Sequence, residues 1–317
     1  MLTKILVTGG LGFIGSEFVR RAAHSEKYAE IRVLDAKTYA ANLASLSSVS
    51  NNNKVKITIG DICDQQLVRD LVQGTDVVVN FAAESHVDNS IGNVSPFLRS
   101  NVEGVINLLE SVRHSEATRF VQISTDEVYG SIAYGSFSED APLLPRNPYS
   151  ASKASAENFC LAFANTYGLD VTITRSCNNY GPFQQSEKYI PNSIKALLSG
   201  ENISVYGDGS QEREWIQVTD NCEAIDQIIS YGNKNEIYNI GSNFHIKNLE
   251  LAHLLVQISG RKDECIEFVE DRPGHDQRYS VDSSKIYSEL KWIPKVNFED
   301  GILETFDWYK ANFKDIK

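Results

Sequence analysis

A phenol and an ammonium stand four residues apart at Tyr149 and Lys153, and a hydroxyl precedes two adjacent carboxylates at Thr125, Asp126 and Glu127. On a helix, Tyr149 and Lys153 share one face, one turn apart. Free tyrosine, with a pKa of about 10, is a poor base at neutral pH. A unit charge at about 4 Å in an effective dielectric of about 20 is worth up to ~4 kcal/mol, roughly three pKa units. A neighbouring cation therefore makes the phenol a usable base. Two carboxylates held close push their pKa values apart, so one keeps a proton while the other is ionised. Successive side chains of a strand face opposite ways, so such a pair must sit where a strand breaks into its loop. If they converge, these groups suffice for redox chemistry plus elimination. Taken singly, a Tyr-x-x-x-Lys pair is usually on the surface and an acid pair is usually a solvated loop.

The elements that must position these groups alternate. Lys4 to Thr8 is a short apolar run, followed by Gly9, Gly10, Gly12 and Gly15 and then a helical pattern over about 16–23. Gly10-x-Gly12-x-x-Gly15 fits a dinucleotide fingerprint, with Gly9, Gly12, Phe13, Ile14 and Gly15 at the joint of strand and helix. Glycines let the backbone amides approach a pyrophosphate, and the helix N-terminus adds partial positive charge. Asp35 ends a second predicted strand, 31–34; a carboxylate there accepts ribose hydroxyls and repels a 2′-phosphate, which favours NAD over NADP. Asp61, with Ile62, follows a third strand at 55–59; it reads as an adenine contact or a helix cap. Ala82 and Ala83 follow a fourth strand at 76–81 and are small enough for a cofactor to lie close. Ser85 and His86 come next, His86 as a substrate group or a structural histidine with equal weight. Helices are expected over about 96–114 and 149–167, around a central strand at 119–124 and before a sixth at 171–174. With the positive nicotinamide of NAD⁺ nearby, Lys153 is expected to bring Tyr149 near pH 7.

This order specifies an α/β fold, a doubly wound parallel sheet covered by helices on both faces. The motifs fall at the carboxyl ends of strands, where such sheets bind ligands. Residues 178–182 read as a turn-rich hinge and 47–53 as a loop. The remainder reads as a smaller mixed α/β lobe with helices over about 191–198, 219–230, 249–259 and 298–312. Residues 1–177 form the expected cofactor domain, to which the chain returns near 219–240, and 178–317 mainly the substrate lobe.

The chain has 317 residues, 42% of them hydrophobic, with a net charge of −12. It is long enough for a large core. Its acidity argues against nucleic acid or an anionic membrane as partner. No apolar run is long enough to span a bilayer, and no leader precedes the first strand. The five cysteines form no CxxC, which suits buried free thiols in a reducing cytoplasm. The histidines show no metal spacing, so no metal is expected.

The glycine motif with Tyr149-x-x-x-Lys153 resembles the extended short-chain dehydrogenase/reductase superfamily, a Rossmann-type fold. The chain is similar, over nearly its whole length, to nucleotide-sugar 4,6-dehydratases, above all the dTDP-glucose 4,6-dehydratase family. The resemblance rests on the runs 80–88, 124–130, 176–182, 206–209 and 271–276. The Asp126-Glu127 pair discriminates it from related 4-epimerases and decarboxylases. The resemblance implies that Tyr149 takes the O4 proton while C4 passes hydride to NAD⁺, with Thr125 bonded to that oxygen. Glu127 then takes the C5 proton, protonated Asp126 serves the departing C6 hydroxyl, and hydride returns to C6. It implies Asn179, Lys188, Tyr206, Arg213, Arg272 and His275, besides Ser85 and His86, as residues for a nucleotide-diphosphate sugar. It also implies a homodimer built on the helices near 96–114 and 149–167. Asn89, Ser186, Glu214 and Asn221 stand where the family usually has arginine, proline, aspartate and histidine. These departures bear on the base and the sugar; UDP-sugar 4,6-dehydratases resemble the chain too.

Overall fold

Seven parallel strands carry the site at their carboxyl ends. The computed structural model describes residues 2–313; residues 1 and 314–317, the outer ends of the two expected domain spans, lie outside it. The first six strands are β1 (Thr3–Thr8), β2 (Tyr28–Asp35), β3 (Val55–Ile59), β4 (Val77–Asn80), β5 (Arg119–Thr125) and β6 (Val171–Ser176). The chain then forms β7 (Asn178–Tyr180), β8 (Ile203–Tyr206) and β9 (Glu212–Gln217), returns with β10 (Ile237–Ile240), and leaves again through β11 (His245–Lys247) and β12 (Ile266–Val269). The large sheet runs β10-β6-β5-β4-β1-β2-β3, all in parallel register. The order reverses between β1 and β4, the switch point at which sheets of this kind bind ligands.

Side-chain alternation divides the core. Ile5, Val7, Val33, Val79 and Val121 face one layer of helices, while Leu6, Leu34, Val78 and Phe120 face the other. Buried on both faces, these strands read as continuous apolar runs. The helix Val218–Tyr231 packs beside the helix Phe13–His24, so residues after β9 help cover the large sheet. A third core, with Tyr180, Ile194, Trp215, Leu255 and Phe306, fills the lobe. There β11-β9-β7 and β12-β8 form two small sheets against the helices Tyr189–Ser199, Asn248–Ser259 and Phe298–Ala311.

The elements differ from the sequence expectation in four places. The first helix begins at Phe13, because Gly15 fits only as part of its first turn, against Gly9. The helix expected over 96–114 is broken into Ser95–Leu98, a π turn at Arg99–Glu103, and Gly104–Arg113. The expected loop at 47–53 starts inside a 3-10 turn, Leu43–Val49. The expected hinge at 178–182 begins as β7, because Asn178 to Tyr180 pair with β9. No helix among the described residues is long and apolar enough to cross a membrane. The five cysteines are free, four of them buried and Cys63 half-buried.

Candidate active site

The glycine turn is built by close backbone approach. Gly9 has φ +68, and a Cβ there would lie 2.5 Å from the Ala82 amide nitrogen. A Cβ on Gly15 would lie 2.3 Å from the Gly9 carbonyl oxygen. Gly12 caps the first helix without a side chain, so the outward amides of Phe13, Ile14 and Gly15 stand open to an anion. Ala82 and Ala83 are half-buried beside this turn. Asp35 accepts from the amides of Leu11, at 2.9 Å, and Lys37, at 2.8 Å. Each carboxylate oxygen retains a lone pair for a hydroxyl. These features fit a dinucleotide: an uncapped helix end, a cradle that side chains would fill, and a carboxylate at the end of β2.

Two of the expected cofactor residues have partners within the protein. Asp61 caps no helix; it accepts from the Cys63 amide and pairs with Arg99 at 2.9 Å, while Asp64 caps the following helix. Ile62 turns its side chain into the core against Gly104, and its carbonyl accepts from Asn107 at 2.6 Å. An apolar side chain gains more from that core than from a wet crevice.

β5 delivers Thr125 and then breaks into a single 3-10 turn, Asp126–Tyr129. That break lets both acids face the same region, which an extended strand forbids. Thr125 Oγ1 donates to Asp126 Oδ1 at 3.2 Å and accepts from the Glu127 amide at 3.3 Å. Asp126 is 3% exposed, and its Oδ2 has no partner. Burial, then the charges of Glu127 and Glu214, hold its pKa well above the carboxylate range; Thr125 and Arg213 oppose this. Burial and the neighbouring carboxylates therefore favour the protonated form of Asp126.

The helix Pro148–Tyr167 presents Tyr149 and Lys153. Pro148 pre-sets its first turn, and Asn147 and Ser150 cap it reciprocally. The expected lowering of the Tyr149 pKa does not arise from the protein's own groups. Burial and the carboxylates of Glu127 and Asp126 push the phenol up, opposed by the Thr125 hydroxyl. The Lys153 ammonium donates to the Ile123 carbonyl at 2.5 Å, and burial pulls its pKa down to about 8. Lys153 thus ties the helix to β5.

The lobe brings its polar groups over this site. Lys188 donates to the Ser85 carbonyl at 2.7 Å, joining two of the expected residues. Arg272 pairs with Asp88 at 3.2 Å. Tyr206 lies edge-on to His275, ring centroids 6.0 Å apart. Arg213 stacks its guanidinium 4.4 Å above the Tyr279 ring and donates to the Asp276 carbonyl at 2.9 Å. The Lys188, Arg213 and Arg272 charges lie close enough to influence one another.

Three expected substrate groups have other engagements. His86 caps the helix Val87–Gly92, its Nδ1 accepting from the Asn89 amide at 3.4 Å, so the structural reading holds for that nitrogen. Asn179 turns inward: it donates to the Cys177 carbonyl at 3.0 Å and accepts from Asn221 at 2.8 Å. Burial, then Arg272, lower the pKa of His275, while Asp271, 2.7 Å away, opposes them. The ring is neutral at pH 7, so it adds no charge to the cation cluster.

Sequence reasoning passed over several supporting residues. Asn101, inside the π turn, holds both backbone ends of Glu84 and donates to Ser152 on the helix of Tyr149. Glu214, noted in the sequence only as a departure from the family pattern, is fully buried and accepts from the amides of Asn243 and Val281. Ser90 accepts from the Tyr149 amide. Nothing in residue type or spacing marks these contacts, which are distant in sequence.

A tight glycine turn at the end of β1, with a tyrosine, a lysine and a buried acid on neighbouring elements, defines an α/β protein of the dinucleotide-binding class. The family model of GDP-mannose 4,6 dehydratase matches residues 6–305, and the chain belongs to that family. It is 48% identical over 305 residues to the low-salt glycan biosynthesis protein Agl12 of Haloferax volcanii, covering 96% of this chain and 98% of that one. It is 45% identical over 313 residues to a dTDP-glucose 4,6-dehydratase of Streptomyces niveus, covering 98% and 93%. Its fold matches the dTDP-glucose 4,6-dehydratase DesIV of Streptomyces venezuelae, solved with NAD bound, with a TM-score of 0.96 at 44% identity over 99% of each chain.

Proposed function

We propose that this chain is an NAD-dependent nucleotide-sugar 4,6-dehydratase that converts dTDP-glucose to dTDP-4-keto-6-deoxyglucose. One observation carries the reading. Asp126 is buried beside Glu127 with its Oδ2 unpartnered, next to Thr125 and close to Tyr149, and that burial favours its protonated form. An acid and a base side by side are what loss of water across C5 and C6 requires.

Bound NAD would accept hydride from C4 and return it to C6. The open amides of Phe13, Ile14 and Gly15 would hold its pyrophosphate, with Asp35 toward the ribose and Ala82 and Ala83 along the ring side. Tyr149 takes the O4 proton and Thr125 donates to that oxygen. The positive ring and Lys153 must offset the burial and the carboxylates that hold the phenol protonated. Glu127 removes the C5 proton, Asp126 hands its proton to the leaving C6 hydroxyl, and C5 is reprotonated as hydride reaches C6. Lys188, Arg213 and Arg272 take the diphosphate, with Tyr206 and His275 beside it. We assign residues 1–177, together with the return near 219–240, to the cofactor, and 178–317 mainly to the nucleotide sugar.

The test is incubation with dTDP-glucose and UDP-glucose separately, reading product by mass. Loss of one water from the dTDP sugar supports the reading; loss only from the UDP sugar reassigns the base. Deuterium at C4 should reappear at C6, and label released to solvent would exclude the internal return. An epimerised product of unchanged mass would favour a 4-epimerase.

The chain is further read as a cytoplasmic homodimer. Val94, Leu98, Phe159 and Tyr167 expose apolar surface on the outer helices, and a groove of about 760 Å³ runs along the first of them past Leu98, Val102 and Ile106. Sedimentation at monomer mass would remove the dimer.

A further inference from the structure

Asn147 stands at the joint between the two halves of the site. It caps the helix that bears Tyr149 and Lys153. Its side-chain oxygen accepts from the Ser150 amide at 2.8 Å, a bond that an amide N–H can only donate. The orientation of the Asn147 amide is therefore fixed. Its Nδ2 is the end that faces Glu127, 3.3 Å from Oε2. We infer that Asn147 is a positioning residue that holds Glu127 aimed at the C5 proton, an inference that rests on the role given to Glu127 above.

The chemistry is one-sided. An ionised carboxylate only accepts, and the end of Asn147 that faces it only donates. A protonated carboxyl turning its O–H that way would meet no acceptor. The neighbouring acid has the opposite surroundings, since Asp126 Oδ2 is buried without any donor. The two acids of the pair thus meet different surroundings, a fixed donor at Glu127 and none at Asp126 Oδ2.

The titratable groups facing Glu127 come from every side. Asp126 is in the same turn and Tyr149 is on the capped helix. Lys188 and Arg213 reach in from the lobe, and Tyr279 from the segment after β12. The two cations also face the proposed diphosphate. Asn147 is instead a neutral donor fixed to the catalytic helix, so one joint sets the aim of Glu127 and of Tyr149.

The test uses Asn147→Ser and Asn147→Asp in the full chain, since both replacements keep an oxygen cap on the helix. Asn147→Ser should slow water loss about ten- to hundredfold, the effect of removing a hydrogen bond to a charge, with KM and C4 oxidation nearly unchanged. Asn147→Asp should move the acid limb of the dehydration profile upward by roughly one pH unit, because a carboxylate replaces the donor. Without cofactor, its melting temperature should fall relative to the serine variant between about pH 5 and about pH 8. Wild-type dehydration rates and pH profiles in both variants would overturn the inference alone. A wild-type chain that released no water from either nucleotide sugar would overturn the role of Glu127 and the inference with it.

Discussion

Asp88 Oδ1 lies 3.2 Å from Arg272 Nη1, pairing the short helix Val87–Gly92 after β4 with the segment after β12. Tyr206 stands 3.5 Å from the other oxygen of Asp88. The pair is partly exposed, and such pairs contribute about 1 kcal/mol or less. A diphosphate offers Arg272 more charge and a bidentate match. Arg272→Ala is therefore expected to raise KM for the nucleotide sugar about ten- to hundredfold with kcat little changed. Asp88→Asn should shift KM less than about fivefold. Initial rates against substrate concentration check both; an unchanged KM in Arg272→Ala would detach that residue from the diphosphate.

Asp126→Asn should separate the two halves of the reaction. C4 oxidation persists, while water loss falls roughly a hundred- to ten-thousandfold without the acid. Nicotinamide absorbance building up in a single turnover reads this directly. The same variant should be more stable at higher pH. The unfolded carboxyl titrates near 3.9, and the folded one well above it. Between those values the folded state keeps a proton that the unfolded state has lost, so stability falls as pH rises. Asparagine has no such loss. Its melting temperature should exceed that of the wild type at about pH 8, and the gap should close toward about pH 4.

Tyr149→Phe should lower C4 oxidation by at least about a hundredfold while nucleotide binding survives. Lys153→Met carries a second signature. The folded lysine titrates at about 8 and an unfolded one near 10.4. Across that window the unfolded state binds more protons, so wild-type stability gains a rising component with pH that Lys153→Met lacks. Denaturant midpoints at about pH 8 and about pH 10 for the two proteins measure the difference. Parallel pH trends would contradict the burial of Lys153.

Gly9→Ala and Gly74→Ala share a positive φ but not a fate. At Gly74, φ is +70 and a Cβ meets nothing within 4 Å, so only the left-handed conformation is penalised, about 1–2 kcal/mol. At Gly9 the added carbon meets the backbone of Phe81 and Ala82, which cannot rotate away. Gly9→Ala should lose markedly more stability than Gly74→Ala, and cofactor affinity with it. Chemical denaturation and cofactor titration of the two variants test this; equal losses would mean that the turn relaxes.

The large sheet was legible because its cues are local. Near-continuous apolar runs, each closed by glycine or a small polar residue, give strands buried on both faces. The acid pair was legible as a type and a spacing, Thr125-Asp126-Glu127. What escaped depends on partners far along the chain. Nothing around Asn178 signals that three residues pair with β9. Lys153 was read against Tyr149 on its own helix, yet its bond goes to Ile123 on β5. The resemblance implies Asn179 as a ligand; that Asn221 meets it from the helix Val218–Tyr231 is marked by nothing nearby in the sequence. Nothing local signals that Asn147 meets Glu127 with one end of its amide while it caps the helix of Tyr149 with the other.

The strand that covers β6 is synthesised long after it. β10 pairs with β6 only once β7, β8, β9 and the helix Val218–Tyr231 have emerged. Until then a nascent chain holds the backbone amides and carbonyls of Val171 to Ser176 uncovered on one side, a ready template for another chain. Truncations that stop before Ile237 should therefore aggregate rather than yield a working cofactor half, and expression yield should recover once that strand is included.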